Sequence, residues 1–191
     1  VAKEVESHVG STPPPARVGL DQVTRALQTL LTIHDRTHGG FGGGGSGPKF
    51  PQAAYLKFLI DLRRHAAEND TMVAIDQALR LTLDRMAVGG LFDQVGGGFH
   101  RYSVDGQWIV PHFEKMLYDQ AQLLEVYAGA AVLYDDPFYA LVARRTGGYV
   151  LREMTGADGA FFTAQDAEVN GREGLNYVWT PEEVSAALAP A

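Results

Sequence analysis

The sequence predicts an all-α fold made of repeated αα-hairpins, with small β-hairpin excursions on one rim. Long segments place their apolar residues at helical spacing. Glycine–aromatic stretches, "GGFGG", "GGLFDQVGGGFHRY" and "GADGAFFTAQDA", recur at helix ends, and each leads into a new helix. The intervals between them hold one helix pair or slightly more, as a stack of αα-hairpins requires. One loop type at every second helix end puts these loops on a single rim. An open stack leaves apolar faces bare, so further polypeptide is expected to cover them.

Residues 1–19 read as a linker, because "GSTPPPARVG" holds consecutive prolines that favour an extended form. Residues 20–191 read as one helical domain. A first helix starts at Asp21, a good N-cap, with Val23, Ala26, Leu27, Leu30, Leu31 and His34 on one face. Pro51 opens a second at a position where its missing N–H costs nothing; it carries Ala54, Tyr55, Phe58, Leu59 and Leu62. A third spans about 71–88 and stops at Gly89 and Gly90. "FHRYSVDGQWIV" reads as a hairpin turning at Asp105-Gly106. A long helix is expected over 112–133, and a fifth over 137–154 despite Gly147 and Gly148. Another hairpin or loop follows. Thr180, Pro181, Glu182 and Glu183 then form a cap, an N1 proline and acids at the positive end of a helix dipole.

At 191 residues the chain can bury a real core. The net charge of -7 and the scattering of only 16 basic residues argue against a nucleic-acid surface. There is no Cys, which excludes disulfides and CxxC redox chemistry within the chain. No apolar run approaches the roughly 20 residues of a membrane span, and no signal peptide is visible. A cytoplasmic location is therefore expected. The first residue is Val, and the last residues lie in or just past a helical pattern, so the chain is expected to be a fragment. His8, His34, His38 and His65 lack metal-ligand spacing, and "FGGGGSGPKFP" lacks the GK[ST] ending of a phosphate loop. Neither a metal nor a cofactor is expected.

The reactive residues concentrate in "GGGFHRYSVDGQWIVPHFEKMLYD". On the expected helix His112, Lys115 and Asp119 share a face at i, i+3 and i+7, and Glu114 pairs with Tyr118. A first-turn His112 would be kept neutral by the helix dipole and could take a proton. Lys115 would stabilise an anion, and Asp119 would orient a partner or bind hydroxyls. His100, Arg101, Tyr102, Asp105 and Trp108 arrive on the preceding loop, where binding residues concentrate. The same residues also allow a purely structural reading: a capping histidine, ordinary surface pairs, and a Trp108 that seals the helix pair. In "AQDAEVNGREG", Asp166, Glu168 and Glu173, near Arg172, suit glycoside hydrolysis, a calcium-like oxygen site or a solvated acidic loop.

Three motifs in order, "GGFGG…GPKFP", "GGLFDQVGGGFHRYSVDGQWIVPHFEKMLYDQAQLLEVY" and "AQDAEVNGREGLNYVWTPEE", carry a family resemblance. The chain resembles the spermatogenesis-associated protein 20-like family, also called YyaL-type thioredoxin domain-containing proteins, from about residue 20 onward. It departs from that pattern in a longer glycine loop, in Gln120 for Asn, and in Gln165, Glu168, Val169, Asn170 and Asn176 of the acidic loop. The resemblance implies a thioredoxin-like domain followed by an α/α toroid, like those of six-hairpin glycosidases and N-acylglucosamine 2-epimerases. This chain would hold the first part of a partial (α/α)6 toroid, and its partners would be that domain, the rest of the ring and a carbohydrate. In an epimerase picture His112 or His100 serves as base and acid, Arg101 polarises the sugar carbonyl, and Trp108 stacks on the ring. In a hydrolase picture Asp105, Glu114 or Asp166 supplies the carboxyls. A non-catalytic module that docks the thioredoxin-like domain is the alternative.

Overall fold

The computed structural model describes residues 18–42 and 47–188. The expected proline linker lies outside the described residues apart from Val18 and Gly19. Six helices are present among the described residues: α1 (Leu20–Ile33), α2 (Ala53–His65), α3 (Asp70–Val88), α4 (Leu117–Tyr134), α5 (Pro137–Glu153) and α6 (Pro181–Leu188). Short turns join α2 to α3 and α4 to α5, while long excursions follow α1, α3 and α5. α1 packs on α3 and α2 on α4, with α2 also against α3 and α4 against α5. The helices therefore alternate between two layers, and the excursions all lie at the same kind of helix end.

Local chemistry sets the helix limits. Asn69 caps α3, its Oδ1 accepting from the N–H groups of Thr71 and Met72 at 3.0 and 3.1 Å. Asp136 caps α5 through the Phe138 N–H at 2.9 Å. Thr180 and Glu183 form a reciprocal capping box before α6. Two expected starts move. Gly19, not Asp21, precedes α1, with the Gln22 side chain accepting its N–H at 2.8 Å. Asp21 lies inside the first turn and pairs with Arg25 instead. Gln52 takes a left-handed φ of 52°, so Pro51 stays outside α2. The buried face of α2 is Leu56, Leu59 and Ile60, and Tyr55, expected on that face, is exposed.

The larger correction concerns residues 111–116. They form no helix. β1 (Tyr102–Ser103) pairs antiparallel with β2 (Pro111–His112), and β3 (Lys115–Met116) pairs with β4 (Ala164–Gln165). Between them the Glu114 carbonyl accepts the Arg101 N–H at 2.8 Å. These groups are committed to neighbouring strands, so an i→i−4 ladder cannot form before Leu117. A third pair, β5 (Glu168–Val169) with β6 (Arg172–Glu173), completes the last excursion. The Asp105-Gly106 turn is also corrected. The hairpin loop is longer, and the Asp105 carboxylate braces it by accepting from the N–H groups of Gln107, Ile109 and Val110.

The first two excursions are built alike. Asp35 and Asp93 each close a five-residue turn onto a glycine, Gly39 or Gly97. Lys49 Nζ reaches Asp35 Oδ2 at 2.7 Å and the Gly39 carbonyl at 2.9 Å. Lys115 Nζ reaches Asp93 Oδ2 at 2.8 Å and the Gly97 carbonyl at 3.0 Å. The next glycine admits a ring from elsewhere. A Cβ on Gly40 would come within 2.7 Å of Trp108, and one on Gly98 within 2.6 Å of Tyr149. Each lysine strand also pairs with the following excursion, Lys49 with Ser103 and Lys115 with Gln165. A shared core of Leu56, Leu59, Leu79, Leu83, Leu123 and Tyr127 lies between the helices.

Both lysine side chains are buried. Burial pushes the Asp35 carboxyl up, but Lys49 and two backbone N–H groups outweigh it and hold it at about 2. Asp93 is held below the usual carboxylate range in the same way by Lys115. Both shifts are downward, so their stabilisation is present above the ordinary value of 3.8 and fades as pH falls below it. Lys115→Met should cost about 3–5 kcal/mol, because it strands a buried carboxylate. Adding Asp93→Asn should recover part of that loss. Urea unfolding of single and double variants at pH 7 checks this; equal losses would assign the effect to something other than the pair.

Candidate functional site

In an extended strand alternate side chains face opposite ways. Pro111, Phe113 and Lys115 turn towards the interior, and His112 and Glu114 turn to the other side. There they meet Arg101, whose Nη1 donates to Glu114 Oε2 at 2.8 Å. His112 Nε2 stands 3.8 Å from the same oxygen. His112 Nδ1 lies 2.8 Å from Glu173 Oε1 on β6. A carboxylate only accepts, so Nδ1 is the donor in that bond. The result is a polar chain: Arg101, Glu114, His112, Glu173.

An aromatic stack backs it. The His112 ring lies on Tyr102, with centroids 4.8 Å apart, and Tyr102 lies on Phe50, also at 4.8 Å. Phe50 remains 43% exposed, so one ring face is free. Phe50 also lines a cavity of about 220 Å³ with Gln52, Tyr118, Asp119 and Gln122. Asp119 sits in the first turn of α4. Its Oδ2 and the Arg101 Nε are the two side-chain atoms, among the described residues, that are buried without a partner. Burial lifts the Asp119 carboxyl to about 7; Arg101 opposes the rise and Glu114 adds to it.

The other expected site residues lie elsewhere. Trp108 is fully buried, with its Nε1 donating to the His38 carbonyl at 3.0 Å, so it seals the helix layers and offers no face to a ligand. His100 is buried edge-on to Phe113 and Tyr177, with its Nδ1 at 3.2 Å from the Phe113 carbonyl. Burial, helped by the Lys115 charge, holds it at about 4 and therefore neutral. Lys115 is in its ion pair, and the Asp105 carboxylate is spent on its loop. Asp166 is exposed and accepts the Glu168 N–H at 3.0 Å, and Glu168 pairs across the strands with Glu173. Glu168 is exposed there too. No cluster of three or more His, Cys, Asp or Glu arranged to hold a metal occurs among the described residues.

Two contacts of the site escape a local reading: Glu173 with His112, and Phe50 with Tyr102. Glu173 lies 61 positions from His112, and Phe50 belongs to the preceding excursion. The repeated Asp-x-x-x-Gly-Gly-Phe pattern at 35–41 and 93–99 was the available signal that Lys49 and Lys115 turn inward.

Comparison with known proteins now has a geometry to attach to. The chain is 43% identical over 190 residues to spermatogenesis-associated protein 20 of Mus musculus. The chain belongs to the spermatogenesis-associated protein 20 family. The match covers 96% of this chain and 23% of the mouse protein, so the chain spans under a quarter of its relative's length. No family model matches the sequence. Among solved structures, the cellobiose 2-epimerase of Spirochaeta thermophila aligns with a TM-score of 0.64 and 17% identity, over 85% of this chain and 39% of that one. A D-mannose isomerase aligns at 0.55 and 16% identity, over 76% and 39%. At such identities the likeness is one of fold, and the fold is part of an α/α toroid. No helix among the described residues is long and apolar enough to cross a membrane.

Asp119 carries a pH signature. Its folded value of about 7 lies above the ordinary 3.8. The group therefore binds more protons folded than unfolded between those values, and stability falls as pH rises through them. Asp119→Asn should flatten that slope. Thermal unfolding from pH 4 to 8 measures it, and an unchanged slope would clear Asp119.

Proposed function

We propose that this chain forms one wall of a carbohydrate-handling toroid of the epimerase or isomerase kind. The observation that carries the reading is His112, held between two carboxylates with one ring nitrogen open, beside Arg101, a free aromatic face and a cavity. Epimerisation next to a sugar carbonyl needs a base to take the proton and a donor to stabilise the oxygen that gains charge. In this reading His112 Nε2 takes the proton, Glu173 fixes its tautomer, and Arg101 faces the developing oxyanion. Phe50 receives the apolar face of the ring. The toroid fold shared with a sugar epimerase and a sugar isomerase supports this, as an analogy of fold. The remaining wall would come from the rest of the ring in the longer protein.

A second reading has its own support. His100, Asp105, Trp108 and Lys115 are all spent on internal contacts. A rim so heavily braced also suits a module that docks a neighbouring domain, and the thioredoxin-like domain implied by the family resemblance is the natural occupant. Any redox chemistry would belong to that domain, since this chain has no cysteine.

The full-length protein, incubated with a panel of reducing sugars in heavy water, should place deuterium at C2 of at least one. His112→Ala should slow that exchange about 10²–10⁴-fold, the usual contribution of a positioned general base. Binding of a sugar with no exchange in the wild type would exclude epimerisation and leave the binding module.

A further inference from the structure

Tyr102 stands directly opposite His112 in the β1–β2 pair. Directly opposed residues of an antiparallel pair bring their side chains together. Here the two rings stack, with centroids 4.8 Å apart and planes 22° from parallel. The stack supplies something that the carboxylates do not. The bond from His112 Nδ1 to Glu173 Oε1 at 2.8 Å fixes one point of the ring. Glu114 Oε2 stands 3.8 Å from Nε2, beyond hydrogen-bond length. One fixed point leaves the imidazole free to tilt about it, so Nε2 could sweep an arc. A second ring lying nearly flat against the first removes that freedom.

Tyr102 is itself held on several sides. Ser103, the next residue, is buried and exchanges both backbone hydrogen bonds with Lys49, at 2.8 and 2.9 Å. Lys49 is in turn fixed by Asp35. Arg101, the residue before, gives its N–H to the Glu114 carbonyl at 2.8 Å. The Phe50 ring adds support at 4.8 Å from Tyr102. The first excursion therefore reaches a histidine of the second through one tyrosine.

We propose that Tyr102 is a positioning residue, whose ring fixes the plane of the His112 imidazole and so aims its Nε2. This rests on the reading of His112 as the base and adds the group that orients it. Proton transfer needs the base within hydrogen-bond reach of the proton it takes, so a tilted ring loses rate rather than substrate binding.

Two measurements on the full-length protein test it. With D-mannose, D-glucose and cellobiose in heavy water, the wild type should exchange C2 of at least one. Tyr102→Leu should lower kcat for that exchange about 10²-fold, the cost of misplacing a reacting group by about 1 Å, and leave KM within about 3-fold. Tyr102→Phe keeps the ring and should recover kcat to within about 3-fold. The second measurement needs no sugar. Diethyl pyrocarbonate labels accessible imidazole nitrogens, and the His112 side chain is 26% exposed. Its labelling, followed by mass spectrometry, should be several-fold faster in Tyr102→Leu and unchanged in Tyr102→Phe. Should the leucine variant fail to fold, Tyr102→Val, a good strand former without a ring, takes its place. Equal kcat or equal labelling in the wild type and the ringless variant overturns the positioning role and leaves the carbohydrate reading standing. A phenylalanine variant as slow as the leucine one does the same, because the hydroxyl and not the stack would then be at work. A wild type that exchanges none of the three sugars overturns the carbohydrate reading, and with it the base that Tyr102 would aim.

Discussion

The buried lysine–aspartate staple is the constraint on which the rest of this structure depends. It occurs twice, as Lys49 with Asp35 and as Lys115 with Asp93. In each case the ammonium also binds the carbonyl of a glycine whose positive φ turns that carbonyl inward. Such pairs add little net stability against apolar substitutes, because desolvating two charges costs about what their attraction returns. Their value lies in geometry. A lysine that must reach one carboxylate and one carbonyl fixes the strand that carries it. The strand then pairs with the next excursion, so each hairpin unit holds its neighbour. The third excursion keeps the bridge of Thr155 with Phe161 but has Gly156 where the aspartate would stand. Beyond it nearly every residue is exposed, and α6 has no buried residue.

That constraint reaches the candidate site through strand alternation. With Lys115 pulled inward, Glu114 and His112 must face the other way. A slip of one residue would bury Glu114 and expose the lysine, and the polar chain to Arg101 and Glu173 would be lost. The site is thus a by-product of register. Gln120 reinforces it from the helix side. Its amide exchanges bonds with both backbone groups of Phe99, at 2.7 and 2.6 Å, and fixes α4 against the second excursion.

The helices were legible because their causes are local: caps, proline starts and apolar spacing. The repeated rim was legible because glycine runs announce it. What misled the reading was "PHFEKML", which carries good helix formers and an i, i+3, i+7 pattern yet folds as strand. Lysine is almost never fully buried unless paired, so the pattern places Lys115 on the surface. Its partner Asp93 lies 22 positions back and the strand that pairs with it about 50 positions ahead. Neither contact leaves a local signature. For a related reason the sequence leaves Trp108 open between stacking on a ligand and sealing the helix pair, and the structure has it sealing. Its φ of 67° turns it from the loop into the core, a conformation bulky residues rarely adopt.

This sorting of residues also changes what the site can mean. A dense cluster of histidines, carboxylates and aromatics looks reactive as sequence, yet most of its members hold the rim together. His100 stays neutral against a carbonyl, Asp105 braces a loop, Lys115 closes a turn and Trp108 fills the core. A scaffold needs nothing more from the remaining four. Arg101, Glu114 and His112 nonetheless form one polar chain beside the exposed Phe50, and Asp119 Oδ2 lies buried without a partner. Holding Asp119 buried and unpaired there costs stability that a purely structural rim would have no reason to give up. The neighbouring residues show how readily this fold satisfies its polar groups. Asp119 is the exception among them.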